Sequence, residues 1–391
     1  MDARIKPYSP LFAAEDIVDL ERRISTARLP SEETAAPWVQ GVPLVRVESL
    51  LDHWLHEYDF DDFQARIDAL PHQITRIGAL DIHFLHFPSE DPHAVPLLLT
   101  HGWPSSFLEF IDIAKTLSDS AREISYNVVI PSLPGHGFSS VPEEEGVGVA
   151  AIAAMWVTLM GRLGYPQFVA HGGDWGSYIT ALLGSNHPDC VQGIHLTMPF
   201  APKPASNVEL DDRDQEALRR MMGFGSRRSG YASIQHTRPQ TLAFSLEDSA
   251  VGHLAWIFER YWEWVDHDGD LFKVIPERYL LDTVTLYWLT HSAAGAARLF
   301  WESFYDQPND IVTVPTVCTV TPNDAWMPRA WCEERFINMV SWRDLLKSGH
   351  YLALEDPEML ISEIDLLARH IASKNVANSL FEIAASGQAK S

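Results

Sequence analysis

Residues 168–177, Phe-Val-Ala-His-Gly-Gly-Asp-Trp-Gly-Ser, constrain this chain more than any other stretch. An apolar run of this kind reads as a buried strand, and it breaks on glycines around one acidic residue, Asp174. Small residues two places before and two places after a nucleophile allow a sharp strand-to-helix turn. Gly172 and Gly176 fill those places. Such an elbow more often carries serine, which attacks acyl carbons. A carboxylate there forms an alkyl ester by displacement at carbon, which points away from ester cleavage and towards epoxides or haloalkanes.

The rest of the chain supplies a frame for that elbow. From residue 76, short apolar runs at 82–87, 95–100, 128–131, 168–170, 194–197, 313–320 and 339–342 alternate with helical stretches. This alternation predicts an α/β fold with a mostly parallel, doubly wound sheet covered on both faces. Residues 1–75 read as a helical N-terminal segment, with Ile17, Leu20 and Ile24 on one face and Val47, Leu50, Leu51, Trp54, Leu55 and Tyr58 on another. The core then occupies 76–200 and resumes at 311–391. Between them, 201–310 reads as an inserted helical cap with the stripe Val251, Leu254, Phe258, Tyr261 and Trp262. The tail after about Ser373 reads as weakly ordered.

A formal charge of −24 argues against nucleic acid or an anionic membrane as partner, because both would repel the chain. Cys190, Cys318 and Cys332 are widely spaced and follow no ligand pattern, so neither a disulfide framework nor a metal site is expected, and a reducing cytoplasm fits. The first residues lack the apolar core of a signal peptide, and the most apolar stretch, 147–163, reads as a buried helix. No phosphate-binding glycine loop is present, so no cofactor is expected.

Catalytic groups in a doubly wound sheet gather beyond the carboxyl ends of strands. Three such ends carry Asp174, Asp324 and His350, in the chain order of the α/β-hydrolase triad. Asp174 would attack carbon, neutral His350 would activate the water that cleaves the ester, and Asp324 would orient and stabilise the histidine. Glu355 and Asp356 read as helix-start residues. The oxyanion formed on ester cleavage needs backbone N–H donors, expected from Trp175 and from Trp103 in the loop His101-Gly102-Trp103-Pro104. His101 and His171 read as structural, and His136 as a turn residue. An acid in the cap should protonate an epoxide oxygen; Tyr231, Tyr261, Tyr279, Tyr287 and Tyr305 are available, and periodicity does not choose among them.

These residues resemble the microsomal-type epoxide hydrolases, the branch with an additional N-terminal domain. The resemblance spans almost the whole chain. It rests on Tyr58-Asp59-Phe60, Leu70-Pro71, Leu80-Asp81-Ile82-His83-Phe84, His101-Gly102-Trp103-Pro104, Pro131-Ser132-Leu133-Pro134-Gly135 and Gly172-Gly173-Asp174-Trp175-Gly176. It continues through Gly193-Ile194-His195-Leu196, Gly230-Tyr231, Ile234-Gln235, Thr237-Arg238-Pro239, Gly349-His350 and Glu355-Asp356-Pro357. The likeness implies the same triad and makes Tyr231 one of two proton-donating tyrosines. The second is expected in 297–302, where this chain has Phe300, read here as pocket wall together with Trp103 and Trp175. Tyr305 lies roughly 140° further around a helix and is a poor replacement.

The expected activity is therefore conversion of a bulky or aryl epoxide to a vicinal diol, in detoxification or secondary metabolism. The partners would be the epoxide and water, with a homodimer left open. Two alternatives stand: a haloalkane-type dehalogenase using the same aspartate, and a non-catalytic ligand receptor on a hydrolase scaffold.

Overall fold

The computed structural model describes residues 4–205, 208–304, 310–324 and 326–388. A two-residue edge strand, β1 (Lys6–Pro7), precedes helices α1 (Ala14–Ser25), α2 (Leu44–His56) and α3 (Phe60–Asp68). Leu20 and Ile24 of α1 and Val47, Leu50, Leu51 and Trp54 of α2 are buried, on the faces their spacing predicts. The Asp59 side chain caps α3 by accepting the Asp62 N–H at 2.9 Å.

The helical reading of 1–75 stops short of its end. His72–Ile77 forms β2, which pairs antiparallel with β3 (Leu80–Phe87) around a tight turn where Gly78 has φ 60°. The positions that β2 buries include His72 and Thr75, so the apolar alternation that marks a strand is missing from its sequence. His72 and His83 share a hydrogen bond of 2.8 Å, and His83 contacts Ser132 at 2.8 Å, which satisfies these buried polar groups.

The chain continues through β4 (Val95–Thr100), α4 (Ile111–Leu117), β5 (Tyr126–Pro131), α5 (Val149–Arg162), β6 (Phe168–Gly172), α6 (Trp175–Asn186) and β7 (Val191–Leu196). Six helices follow: α7 (Asp212–Arg227), α8 (Gly230–Thr237), α9 (Pro239–Asp248), α10 (Ala250–Trp264), α11 (Glu277–Leu289) and α12 (Ala293–Ser303). The fold closes with β8 (Thr316–Val320), α13 (Arg329–Arg335), β9 (Met339–Asp344), α14 (Leu352–Glu355) and α15 (Pro357–Gln388). Helix α15 runs on past Ser373.

The strands form a mixed sheet in the order β1-β2-β3-β5-β4-β6-β7-β8-β9. From β5 to β9 neighbours are parallel, and the antiparallel part is confined to the β1–β2–β3–β5 edge. This is the α/β-hydrolase fold. Its central strand β6 is buried at every position, flanked by β4 and β7, and it delivers the elbow. Among the described residues no helix is long and apolar enough to cross a membrane; α5 instead buries Ile152, Trp156 and Leu159 in the core.

The first three helices are tied to the later ones through α11. Arg66 donates two bonds to Asp282, at 2.6 and 2.8 Å, and the Tyr58 hydroxyl reaches the same carboxylate at 2.8 Å. The Trp54 indole N–H meets Thr285 at 2.9 Å.

Candidate active site

Asp174 immediately precedes α6 in the two-residue turn from β6, with φ 49° and ψ −127°. A non-glycine residue on that side of the Ramachandran plot costs about 1–3 kcal/mol and persists only where its surroundings impose it. Here they do. A Cβ on Gly172 would lie 2.1 Å from the Gly176 carbonyl oxygen, and one on Gly176 would lie 1.9 Å from that of Thr100. Only glycine at both places lets β6, α6 and the end of β4 come this close.

The same closeness brings the loop after β4 onto the carboxylate. The Trp103 N–H donates to Asp174 Oδ1 at 2.8 Å, and the Trp175 N–H also bonds to this carboxylate. A Cβ on Gly102 would fall 2.2 Å from Oδ1, so glycine is required beside Trp103 as well. Burial raises the Asp174 pKa, while nearby His350 and the two N–H donors oppose the rise.

His350 follows β9 and Asp324 follows β8. Their side chains meet at 2.9 Å between His350 Nδ1 and Asp324 Oδ1. His350 Nε2 faces Asp174 Oδ2 at 3.9 Å, too far for a direct hydrogen bond. Burial alone would depress the histidine, but the charge and hydrogen bond of Asp324, helped by Asp174, push it up to about 9.

Cap aromatics pack on Trp103, Trp175 and His350. Tyr231, on α8, stacks on Trp103 with centroids 5.3 Å apart and planes at 15°. Phe300, on α12, stands edge-on to Trp175 at 4.9 Å and to Trp103 at 5.5 Å. Trp264, the last residue of α10, contacts both Tyr231 and His350. Burial raises the Tyr231 phenol well above its ordinary value, so it stays protonated, and Asp174 adds to the rise.

The structure brings together Asp174, Trp103, Trp175, Asp324, His350, Tyr231 and Phe300. Other tyrosines lie elsewhere: Tyr261 stacks on Tyr351, Tyr279 packs on Tyr261, and the Tyr287 hydroxyl donates to the Ser105 carbonyl at 2.7 Å. Tyr305 is outside the described residues. His101 bridges Gly102 and Leu133, and His171 pairs with His195, as structural histidines do.

One reading needs correction. Asp356 does begin a helix, accepting the Met359 N–H at 3.1 Å, but Glu355 folds back to accept the N–H groups of Gly349, Tyr351 and Asp266. The short α14 makes that return possible. Sequence reasoning also missed Arg260. Its guanidinium lies 4.8 Å from the Tyr231 ring centroid and 5.6 Å from that of Trp264, held by Glu259 and Glu263. In the sequence it is one charged residue among several on α10 and gives no local signal.

Residues 5–110 match the family profile described as "Epoxide hydrolase N terminus", and residues 95–240 match "alpha/beta hydrolase fold". A Stigmatella aurantiaca protein named "Putative epoxide hydrolase" is 36% identical over 378 residues, covering 95% of this chain and 86% of its own. Epoxide hydrolase 1 of Oryctolagus cuniculus is 30% identical, covering 93% and 88%. The chain belongs to the microsomal-type epoxide hydrolase family. Two solved epoxide hydrolase structures superpose closely. Juvenile hormone epoxide hydrolase of Bombyx mori has a TM-score of 0.89 at 29% identity, covering 96% of each chain. The Aspergillus niger epoxide hydrolase has a TM-score of 0.86 at 29% identity, covering 95% of this chain and 97% of its own. The activity class is that of the family, an epoxide hydrolase.

Proposed function

We propose that this enzyme opens a bulky or aryl epoxide to a vicinal diol through a covalent ester on Asp174. One observation carries this reading: the Asp174 carboxylate has Oδ1 held by the Trp103 N–H and Oδ2 facing His350, with the Tyr231 phenol near enough to feel its charge. In the first half-reaction Asp174 Oδ2 forms a bond to an epoxide carbon. The carbon–oxygen bond breaks, and the electron pair left on oxygen takes the Tyr231 proton. Two aromatic walls, Trp103 and Phe300, favour an aromatic substituent next to that oxygen.

In the second half-reaction water attacks the ester carbonyl and gives one proton to neutral His350. Charge develops on Oδ1, which the Trp103 N–H already holds, and the Trp175 N–H bonds the same carboxylate, so little reorganisation is needed. His350 then protonates the departing diol oxygen. The Tyr231 phenolate, whose proton affinity burial raises, regains its proton from solvent before cleavage; the second water proton leaves Asp174 to solvent and Asp174 is free again. Asp324 holds the imidazole by its Nδ1–H and stabilises its charged form. The free thiols Cys190, Cys318 and Cys332 fit work in a reducing cytoplasm.

His350→Gln tests the first half-reaction. With an aryl epoxide such as styrene oxide, the variant should gain the mass of one epoxide, mapped to Asp174. An unmodified protein, or an adduct elsewhere, would contradict the reading.

A further inference from the structure

The loop that presents His350 is held by the end of a cap helix. Each backbone N–H from Ser348 to Tyr351 has an acceptor outside its own turn or on the folded-back Glu355. Ser348 donates to Asp266 Oδ2 at 2.9 Å, Gly349 to Glu355 at 2.6 Å, His350 to the Trp264 carbonyl at 2.9 Å, and Tyr351 to Glu355 at 3.0 Å. The second oxygen of Asp266 accepts the Asn323 side-chain amide at 3.1 Å, one residue before Asp324. The Asp266 N–H closes the circuit on Glu355 at 2.9 Å. The approach is tight: a Cβ on Gly349 would lie 2.0 Å from the Trp264 carbonyl oxygen.

From this we infer that Asp266 is a positioning residue, whose carboxylate sets the acid loop and the base loop at the spacing that the His350–Asp324 pair requires. It sits two residues beyond α10, and its carboxylate oxygens bond to Asn323 and Ser348. The inference rests on the two-step reading of Proposed function. It assigns Asp266 to one step only. Ester formation uses Asp174 and Tyr231, whose supports are the elbow, the Trp103 loop and α8. Ester cleavage uses His350 and Asp324, and both loops converge on Asp266. Glu355 ties the base loop to the end of α10, whereas the Asp266 carboxylate links base and acid loops. Because Trp264, two residues earlier, packs on both Tyr231 and His350, the end of α10 also joins the cap wall of the pocket to the base.

The test is rapid-quench mass spectrometry of the full chain with styrene oxide, following formation and decay of the ester in wild type, Asp266→Asn and Asp266→Ala. Small displacements of positioned groups cost up to about 100-fold, so ester decay in Asp266→Ala should slow by about 10- to 100-fold while its formation rate is retained, and the ester should accumulate. Asp266→Asn keeps one acceptor oxygen and should fall between. Equal decay rates in all three proteins would overturn the positioning role while leaving the two-step reading intact. Parallel loss of formation and decay in both variants would also overturn it, as the mark of general loss of structure. Absence of any Asp174 ester in wild type, with diol still produced, would overturn the two-step reading and this inference with it.

Discussion

Phe300 stands edge-on to Tyr231, with ring centroids 6.0 Å apart and planes at 85°. One phenol and one phenyl ring thus line the wall where an epoxide oxygen would lie. If Tyr231 supplies the proton alone, Tyr231→Phe should slow ester formation by about 10²–10⁴-fold, the usual contribution of a positioned acid. Phe300→Tyr should move KM for bulky aryl epoxides and leave kcat unchanged. A rise in kcat on that replacement would show that the wild-type site lacks a donor and would contradict the assignment of Phe300 as wall.

The pH dependence of ester cleavage follows from the charges around His350. In the resting site its pKa stands at about 9, raised by Asp324 and by Asp174 against the effect of burial. Esterification neutralises Asp174 and removes one of the raising charges. The base should therefore titrate below 9 in the ester, with cleavage accelerating as pH rises through that lower value. Single-turnover decay measured across pH checks this; a pH-independent rate, or an apparent pKa at or above 9, would contradict it.

Asp282 ties the first helices of the chain to α11. Its side chain is 7% exposed and receives both Arg66 and Tyr58, whereas Arg66 is 32% exposed. Removing one partner of a buried pair costs about 3–5 kcal/mol, and partial exposure of the arginine lowers this to about 2–4 kcal/mol for Asp282→Ala. Denaturant unfolding of the variant provides the check, with a change below about 1 kcal/mol, the level of an exposed pair, as the contrary result.

Acid should unfold this protein through its buried histidines. Burial lowers His101 and His171 to about 3 and His136 to about 4. Their folded pKa values lie below the unfolded value near 6.5, so the unfolded chain binds more protons as pH falls from there. Each group's contribution is complete above about 6.5 and is lost on acidification, by up to about 1.4 kcal/mol per pH unit. Glu109 and Glu355 act oppositely, because burial raises both to about 7 and acidification from 7 towards their ordinary 4.5 stabilises the fold. The fall in Tm should consequently steepen below about pH 4.5, where Glu109 and Glu355 no longer oppose the histidines. A Tm constant from neutral pH to 4 would contradict this balance.

Much of the site was legible because glycine governs it locally. Gly172, Gly176 and Gly102 state in the sequence where three backbones must touch, and Asp174, Trp103 and Trp175 follow from them. His350 and Asp324 were legible as residues at strand ends. Tyr231 was singled out by resemblance, since nothing in its helical spacing distinguishes it from Tyr261 or Tyr287. The contributions of Glu355, Asp266, Trp264 and Arg260 were not legible. They act across separations that exist only in the folded chain, such as the 89 residues between Asp266 and Glu355. Strand β2 escaped for a related reason: its buried His72 and Thr75 bond to His83 and Arg162, and local patterning does not record them.

The central claim is that water attacks the Asp174 carbonyl and not the epoxide. Many turnovers in heavy-oxygen water, followed by peptide mass mapping, test it most directly. The heavy label should appear in the peptide containing Asp174, since each cycle replaces a carboxylate oxygen with one from water. A labelled diol with an unlabelled Asp174 would mean direct attack of water on the epoxide and would contradict the covalent mechanism.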